Sequence, residues 1–231
     1  MAWLWHAHED ADVLHVAVAA ALREAIERRV GVPGPAVLSL AGGSTPLPAY
    51  RLLAQAKLPW SRVTLVPGDE RCVPHAHEAC NLRQLGACFA GTGAIAQPLT
   101  TADGDPETSL ALATRWLDAH PQPFAATVLG IGADGHTASL FPGAANLAAG
   151  LDLAGGDAVI RVVPQPLPPE APFERISMTA PRLLHSDAIH LLATGYGKRS
   201  VLEQAMGNPA RYPVGAVLHA PGRTVHVHWS P

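Results

Sequence analysis

Between residues 12 and 29 apolar side chains fall at Val13, Val16, Ala17, Ala20, Ala21 and Ala25, with Glu24, Glu27, Arg28 and Arg29 among and after them. That spacing predicts a helix with one buried face. Gly31, Pro33, Gly34 and Pro35 then break it. The period shortens afterwards: apolar runs at 36–41 and 63–67 predict buried strands, with a helix over 46–55 between them. Residues 81–89 and 107–119 predict two further helices, separated by a glycine-, threonine- and aspartate-rich connection over 91–105. Runs at 125–130, 158–163, 175–178, 188–194 and 224–229 predict strands, with a helix over 197–206. The proline-dense stretch 164–172 predicts an irregular loop. Strands alternating with helices define an α/β protein with a mainly parallel sheet and helices on both of its faces.

Composition narrows this picture. A chain of 231 residues that is 48% hydrophobic can bury a substantial core, and a single α/β domain over residues 1–231 is expected. Charged residues make up 15%, the formal net charge is −3 and no basic run occurs, so the phosphate-neutralising stripe of a nucleic-acid binder is absent. The apolar run 16–22 is too short to cross a bilayer, and the first ten residues carry His6, His8, Glu9 and Asp10 in place of a targeting pattern. A cytoplasmic protein with no membrane partner is the expectation. Three cysteines, Cys72, Cys80 and Cys88, argue for reduced thiols over a disulfide framework. Cys72, His75, His77 and Cys80 have zinc-ligand side chains at an unsuitable spacing, so no metal is expected.

The most informative segment is 128–142, Val-Leu-Gly-Ile-Gly-Ala-Asp-Gly-His-Thr-Ala-Ser-Leu-Phe-Pro. An apolar strand breaks into a glycine-rich turn that presents Asp134 and His136, and the turn should lie at the carboxyl edge of the sheet, where open α/β folds bind ligands. Gly130, Gly132 and Gly135 also spell the dinucleotide fingerprint, and Asp157 follows at a suitable distance. That fingerprint needs a long helix directly after it, whereas Pro142 and Gly143 interrupt the chain. No Gly-x-Ser-x-Gly elbow occurs, so an acyl-serine enzyme is not expected and water is the nucleophile of any hydrolysis.

Gly42, Gly43, Ser44 and Thr45 follow the first predicted strand, with Thr45 expected to cap the next helix and Pro46 to occupy its first turn. Backbone amides and a helix dipole converging there suit a single phosphoryl group, and the lysine of a nucleotide-binding P-loop is missing. Lys198, beside Gly195 and Gly197, and Arg175 on another strand can reach the same phosphate, one as a mobile point charge and the other as a bidentate fork. Asp69, Glu70 and Arg71 follow the second strand: either carboxylate can orient a histidine or bind sugar hydroxyls, and Arg71 can hold a negative group.

Together, residues 40–46, 68–74 with Asn81, 130–142 and 195–198 resemble 6-phosphogluconolactonases of the glucosamine-6-phosphate isomerase/6-phosphogluconolactonase family, in order along nearly the whole chain. The resemblance implies a Rossmann-like fold shared with glucosamine-6-phosphate deaminase, no cofactor, and a sugar-phosphate lactone as the small-molecule partner; monomer and homodimer both remain open. Deaminases carry a ring-opening glutamate five residues after the histidine, where this chain has Phe141, and tend to an aromatic residue where it has Arg71. Cys80 departs from the usual lactonase pattern, in which serine precedes the asparagine. The expected mechanism uses His136 as base then acid, for which an ordinary histidine pKa near 6.5 is suited, with Asp134 or Asp69 orienting it, Arg71 on substrate or oxyanion, and Gly42, Gly43, Ser44, Thr45, Arg175 and Lys198 on phosphate.

Overall fold

The computed structural model describes residues 3–165 and 171–231. Its elements in chain order are β1 (Trp3–Ala7), α1 (Ala11–Val30), β2 (Ala36–Leu40), α2 (Leu47–Ala54), β3 (Val63–Pro67), β4 (Asp69–Arg71), α3 (Asn81–Cys88), β5 (Ile95–Ala96), α4 (Pro106–Ala119), β6 (Ala126–Gly130), α5 (Leu147–Leu151), β7 (Val159–Val162), β8 (Arg175–Met178), α6 (Ala180–Leu184), β9 (Ile189–Thr194), α7 (Tyr196–Gly207), α8 (Pro213–Leu218) and β10 (Val225–Ser230). Part of the loop expected over 164–172 lies outside the described residues.

Seven strands form one sheet in the order β1-β10-β9-β6-β2-β3-β5, and every pairing in it is parallel. Strands of such a sheet are covered on both sides, and successive residues feed opposite cores. Leu65, Val128 and Leu192 pack with α1, α2 and α3, whereas their neighbours Val66, Leu129 and Leu191 pack with α4, α7 and α8. From β2 the chain moves outward one way to β3, and from β6 it moves the other way to β9 and β10. The carboxyl ends of the adjacent strands β2 and β6 therefore form the topological switch point, where a ligand crevice opens in this class of sheet. A second sheet, β4-β8-β7, is antiparallel and lies beyond the end of β3, so Asp69 to Arg71 forms a strand that the local pattern does not predict.

The helix α1 turns a different face inward from the one its alanines suggested. Leu14, Val18, Leu22 and Ile26 are fully buried, whereas Val13 and Val16 are 45% and 59% exposed. The large residues, repeating every four positions, bury more area than the alanines and decide the face; each is worth roughly 1.5–3 kcal/mol. Asp10 caps this helix by accepting from the Val13 amide.

At the β1 edge five histidines share the α1 side of the sheet. His8 Nε2 lies 3.1 Å from His228 Nδ1, His228 Nε2 lies 3.1 Å from His190 Nδ1, and His6 Nε2 lies 3.0 Å from His226 Nδ1. Each contact needs one proton and one lone pair, so the chain suits neutral rings. Burial pushes His190 down to about 3, helped by His226, and His228 down to about 2, helped by His190.

Candidate active site

A cavity of about 320 Å³ opens at the switch point, lined by Gly42, Gly43, Ser44, Thr45, Asp69, Arg71, His136, Arg175 and Lys198 among others. Four distant stretches meet because each follows the carboxyl end of a strand of the large sheet, β2, β3, β6 or β9, and Arg175 joins them from β8 of the second sheet. Asp134 is hydrogen-bonded to the lining His136.

After β6 the chain makes a tight turn in which Gly135 takes φ +78° and the Gly135 amide returns to the Gly132 carbonyl at 3.1 Å. No helix opens there; the next one, α5, starts at Leu147. Ala138 follows at φ +48°, the one non-glycine residue with positive φ among the described residues. Strain of this kind persists where the surroundings over-determine it. The next residue is pinned twice: the Ser139 amide donates to Ser177 Oγ at 3.2 Å, and Ser139 Oγ donates to Asp69 Oδ2 at 2.5 Å.

His136 Nδ1 and Asp134 Oδ1 are 2.6 Å apart, and the same oxygen accepts the His136 amide at 3.2 Å. An ionised carboxylate only accepts, so Nδ1 carries the proton and Nε2 keeps its lone pair. Partial burial works against ionisation of Asp134, but the hydrogen bonds from the His136 ring and amide outweigh it and hold the carboxyl below its ordinary value. The His136 side chain is 29% exposed, which leaves it open to water. Phe141 packs against the imidazole with ring centroids 4.2 Å apart, and the Arg175 guanidinium sits 5.2 Å from the centre of the Phe141 ring.

The cavity lining includes three basic side chains, Arg71, Arg175 and Lys198, and one carboxylate, Asp69. Burial lowers the Lys198 pKa, and the lysine has no ion-pair or hydrogen-bond partner among the described residues. The amides of Gly42, Ser44 and Thr45 likewise donate to no protein acceptor among the described residues, while that of Gly43 donates to Gln84 Oε1 at 3.3 Å. An excess of cations with unused amides creates a field for an anion. Thr45 does not cap the helix as expected: α2 starts at Leu47 with Pro46 at its N-cap and no side-chain cap. An intervening turn over 44–46 separates the glycine loop from the helix, so the loop amides and not the dipole dominate the attraction.

Glu70 does not face the cavity, contrary to the role expected for it. It alternates with Asp69 and Arg71 on β4 and so points away from the cavity, fully buried, where it accepts the amides of Arg71, Asn81 and Leu82. Burial raises its pKa and those three amides counter the rise only in part. Ser139 and Asn81 were not singled out as site residues by sequence reasoning, although both stand inside the segments that carried the resemblance. Cys72, Cys80 and Cys88 are free thiols, and among the described residues no group of three or more His, Cys, Asp or Glu side chains is arranged to hold a metal ion.

The family model for glucosamine-6-phosphate isomerases/6-phosphogluconolactonase matches residues 9–229. The chain belongs to this family. Among its relatives in the glucosamine-6-phosphate isomerase/6-phosphogluconolactonase family, a 6-phosphogluconolactonase of Neisseria meningitidis is 33% identical over 99% of both chains. One of Pseudomonas putida is 36% identical over 98% of this chain and 92% of its own. The crystal structure of a 6-phosphogluconolactonase from Shewanella baltica superposes with a TM-score of 0.89 at 30% identity, covering 99% of this chain and 97% of that one. The resemblance and the α/β architecture expected from sequence are thus borne out, with the antiparallel sheet as an addition.

Proposed function

We propose that the protein is a lactone-hydrolysing enzyme that converts 6-phospho-D-glucono-1,5-lactone to 6-phospho-D-gluconate in the oxidative pentose phosphate pathway. The relatives' names support the reaction class. The observation that carries the mechanism is the 2.6 Å contact between Asp134 and His136 Nδ1 beside a cation-rich cavity. With Nδ1 held by the carboxylate, Nε2 takes a proton from water as that water attacks the lactone carbonyl. The imidazolium then returns the proton to the departing ring oxygen, and Asp134 stabilises the transient charge.

Lys198, Arg175 and the Gly42, Gly43, Ser44, Thr45 loop hold the phosphate, so that binding far from the carbonyl fixes its position relative to His136. Arg71 stabilises negative charge developing on the carbonyl oxygen. Since Asp134 orients the histidine, Asp69 is left to accept sugar hydroxyls. Phe141, 7% exposed, occupies the position where sugar-isomerising members carry their glutamate and supplies no acid there.

The test offers the purified protein freshly made 6-phosphogluconolactone and, separately, glucosamine 6-phosphate. Lactone opening well above the spontaneous rate with no ammonia release is expected. Ammonia release without lactone opening would replace this function with the deaminase one.

A further inference from the structure

Asn81 was brought into the site by the fold without an obvious task. It is 1% exposed, lies at the start of α3 and lines the cavity. Its Oδ1 accepts from Arg71 Nη1 at 2.9 Å, and its Nδ2 donates to the Asp69 carbonyl at 2.7 Å. A guanidinium cannot accept and a carbonyl cannot donate, so the carboxamide has one possible orientation. A Cβ on Gly42 would lie 2.0 Å from Asn81 Oδ1 and 2.4 Å from its Cγ, so the backbone of the glycine loop rests on the same amide group.

Resting on the lactonase function above, we propose that Asn81 is the positioning residue of the site, fixing Arg71, Asp69 and the Gly42 loop relative to one another so that they meet the substrate in one geometry.

Arg71 Nη1 spends its two protons on Asn81 and on the Ala79 carbonyl, 2.6 Å away. Nη2 and Nε have no hydrogen-bond partner among the described residues; Nε is buried, so Nη2 is the nitrogen left for a ligand. Without Asn81 the guanidinium keeps one anchor and can swing about it. Glu70 fixes Asn81 in turn: its carboxylate takes the Asn81 amide at 2.8 Å and the Leu82 amide at 2.7 Å, tying the first turn of α3 to β4. Negative charge at a helix N-terminus is favourable, which helps keep this carboxylate in place.

A double-mutant cycle separates positioning from general support. Asn81→Ala removes both side-chain hydrogen bonds; Asn81→Asp keeps the shape, sets an oxygen against the Asp69 carbonyl and places a charge beside Arg71. Each is combined with Arg71→Ala, and kcat/KM for the phospholactone and Kd for 6-phosphogluconate are measured alongside Tm. Asn81→Ala should lose about 10²-fold in kcat/KM, the scale of a 1 Å misplacement. The loss caused by Asn81→Ala should be much smaller in the Arg71→Ala background than in wild type on both readouts, since only the hold on Asp69 and the Gly42 loop is then left to lose. Losses that multiply would overturn the proposal, because a residue that merely supports the fold acts independently of Arg71. If Asn81→Ala does not fold, the Asn81→Asp cycle decides by the same criterion. Wild-type protein that binds 6-phosphogluconate without turning over lactone would overturn the lactonase function alone, and the binding cycle would still judge Asn81. Wild type that does neither would overturn both.

Discussion

Replacing Gly132 with alanine perturbs the site by a single methyl group and touches no charge. The residue has an ordinary backbone conformation, since it is not among the positive-φ glycines, so alanine meets no intrinsic strain. Its Cβ, however, would lie 2.2 Å from both Cε1 and Nδ1 of His136 and 2.6 Å from Asp134 Oδ1. Restoring ordinary van der Waals contact requires the ring to retreat by about 1 Å, and a shift of that size costs about 10²-fold in rate. The ring is a partly exposed side chain that can rotate, so folding should be nearly unaffected. The assay is continuous titration of acid released from 6-phosphogluconolactone, with Tm and 6-phosphogluconate binding measured on the same preparation. Expected are a kcat lower by about two orders of magnitude, near-normal product binding and a Tm within a few degrees of wild type. Undiminished kcat would refute the claim that the imidazole must sit where Asp134 holds it.

Lys198→Ala should raise KM for the phosphorylated lactone by tenfold or more while leaving hydrolysis of an unphosphorylated gluconolactone little changed; an unchanged KM contradicts its phosphate role. The histidine chain on β1, β10 and β9 predicts acid sensitivity. His190 and His228 have folded-state pKa values below the unfolded value near 6.5, so their contribution is fully present above pH 6.5 and is lost as pH falls from there towards 3 and 2. From pH 7 to 5 each buried ring should cost about 2 kcal/mol, visible as a falling urea midpoint that His190→Leu partly flattens; a midpoint independent of pH would contradict this.

Much of the architecture was legible because strands β2, β3, β6 and β9 are short apolar runs that end in glycine or proline turns, and those turns carry the site. What local pattern missed was made by distant pairing. The three residues of β4 become a strand only through β8, more than 100 positions away, and that pairing turns Glu70 from the cavity. Trp3, Trp5 and Ala7 alternate with His6 and His8, but β1 exists by pairing with β10 at the other end of the chain. In α1 the apolar residues surround the helix, and only the spacing of Leu14, Val18, Leu22 and Ile26 reveals the packed seam. The site motifs named Asp134 and Asp69 equally as partners for His136; the turn geometry separates them, giving Asp134 to the imidazole and Asp69 to Ser139.

The central claim is that His136, held by Asp134, activates water against a phosphate-anchored lactone. It is tested most directly by acid release from freshly generated 6-phosphogluconolactone with wild type and His136→Ala at equal concentration, both checked for 6-phosphogluconate binding. Rapid release by wild type, a loss of about 10²- to 10⁴-fold in the variant and retained product binding are expected. Equal rates for the two proteins would contradict it.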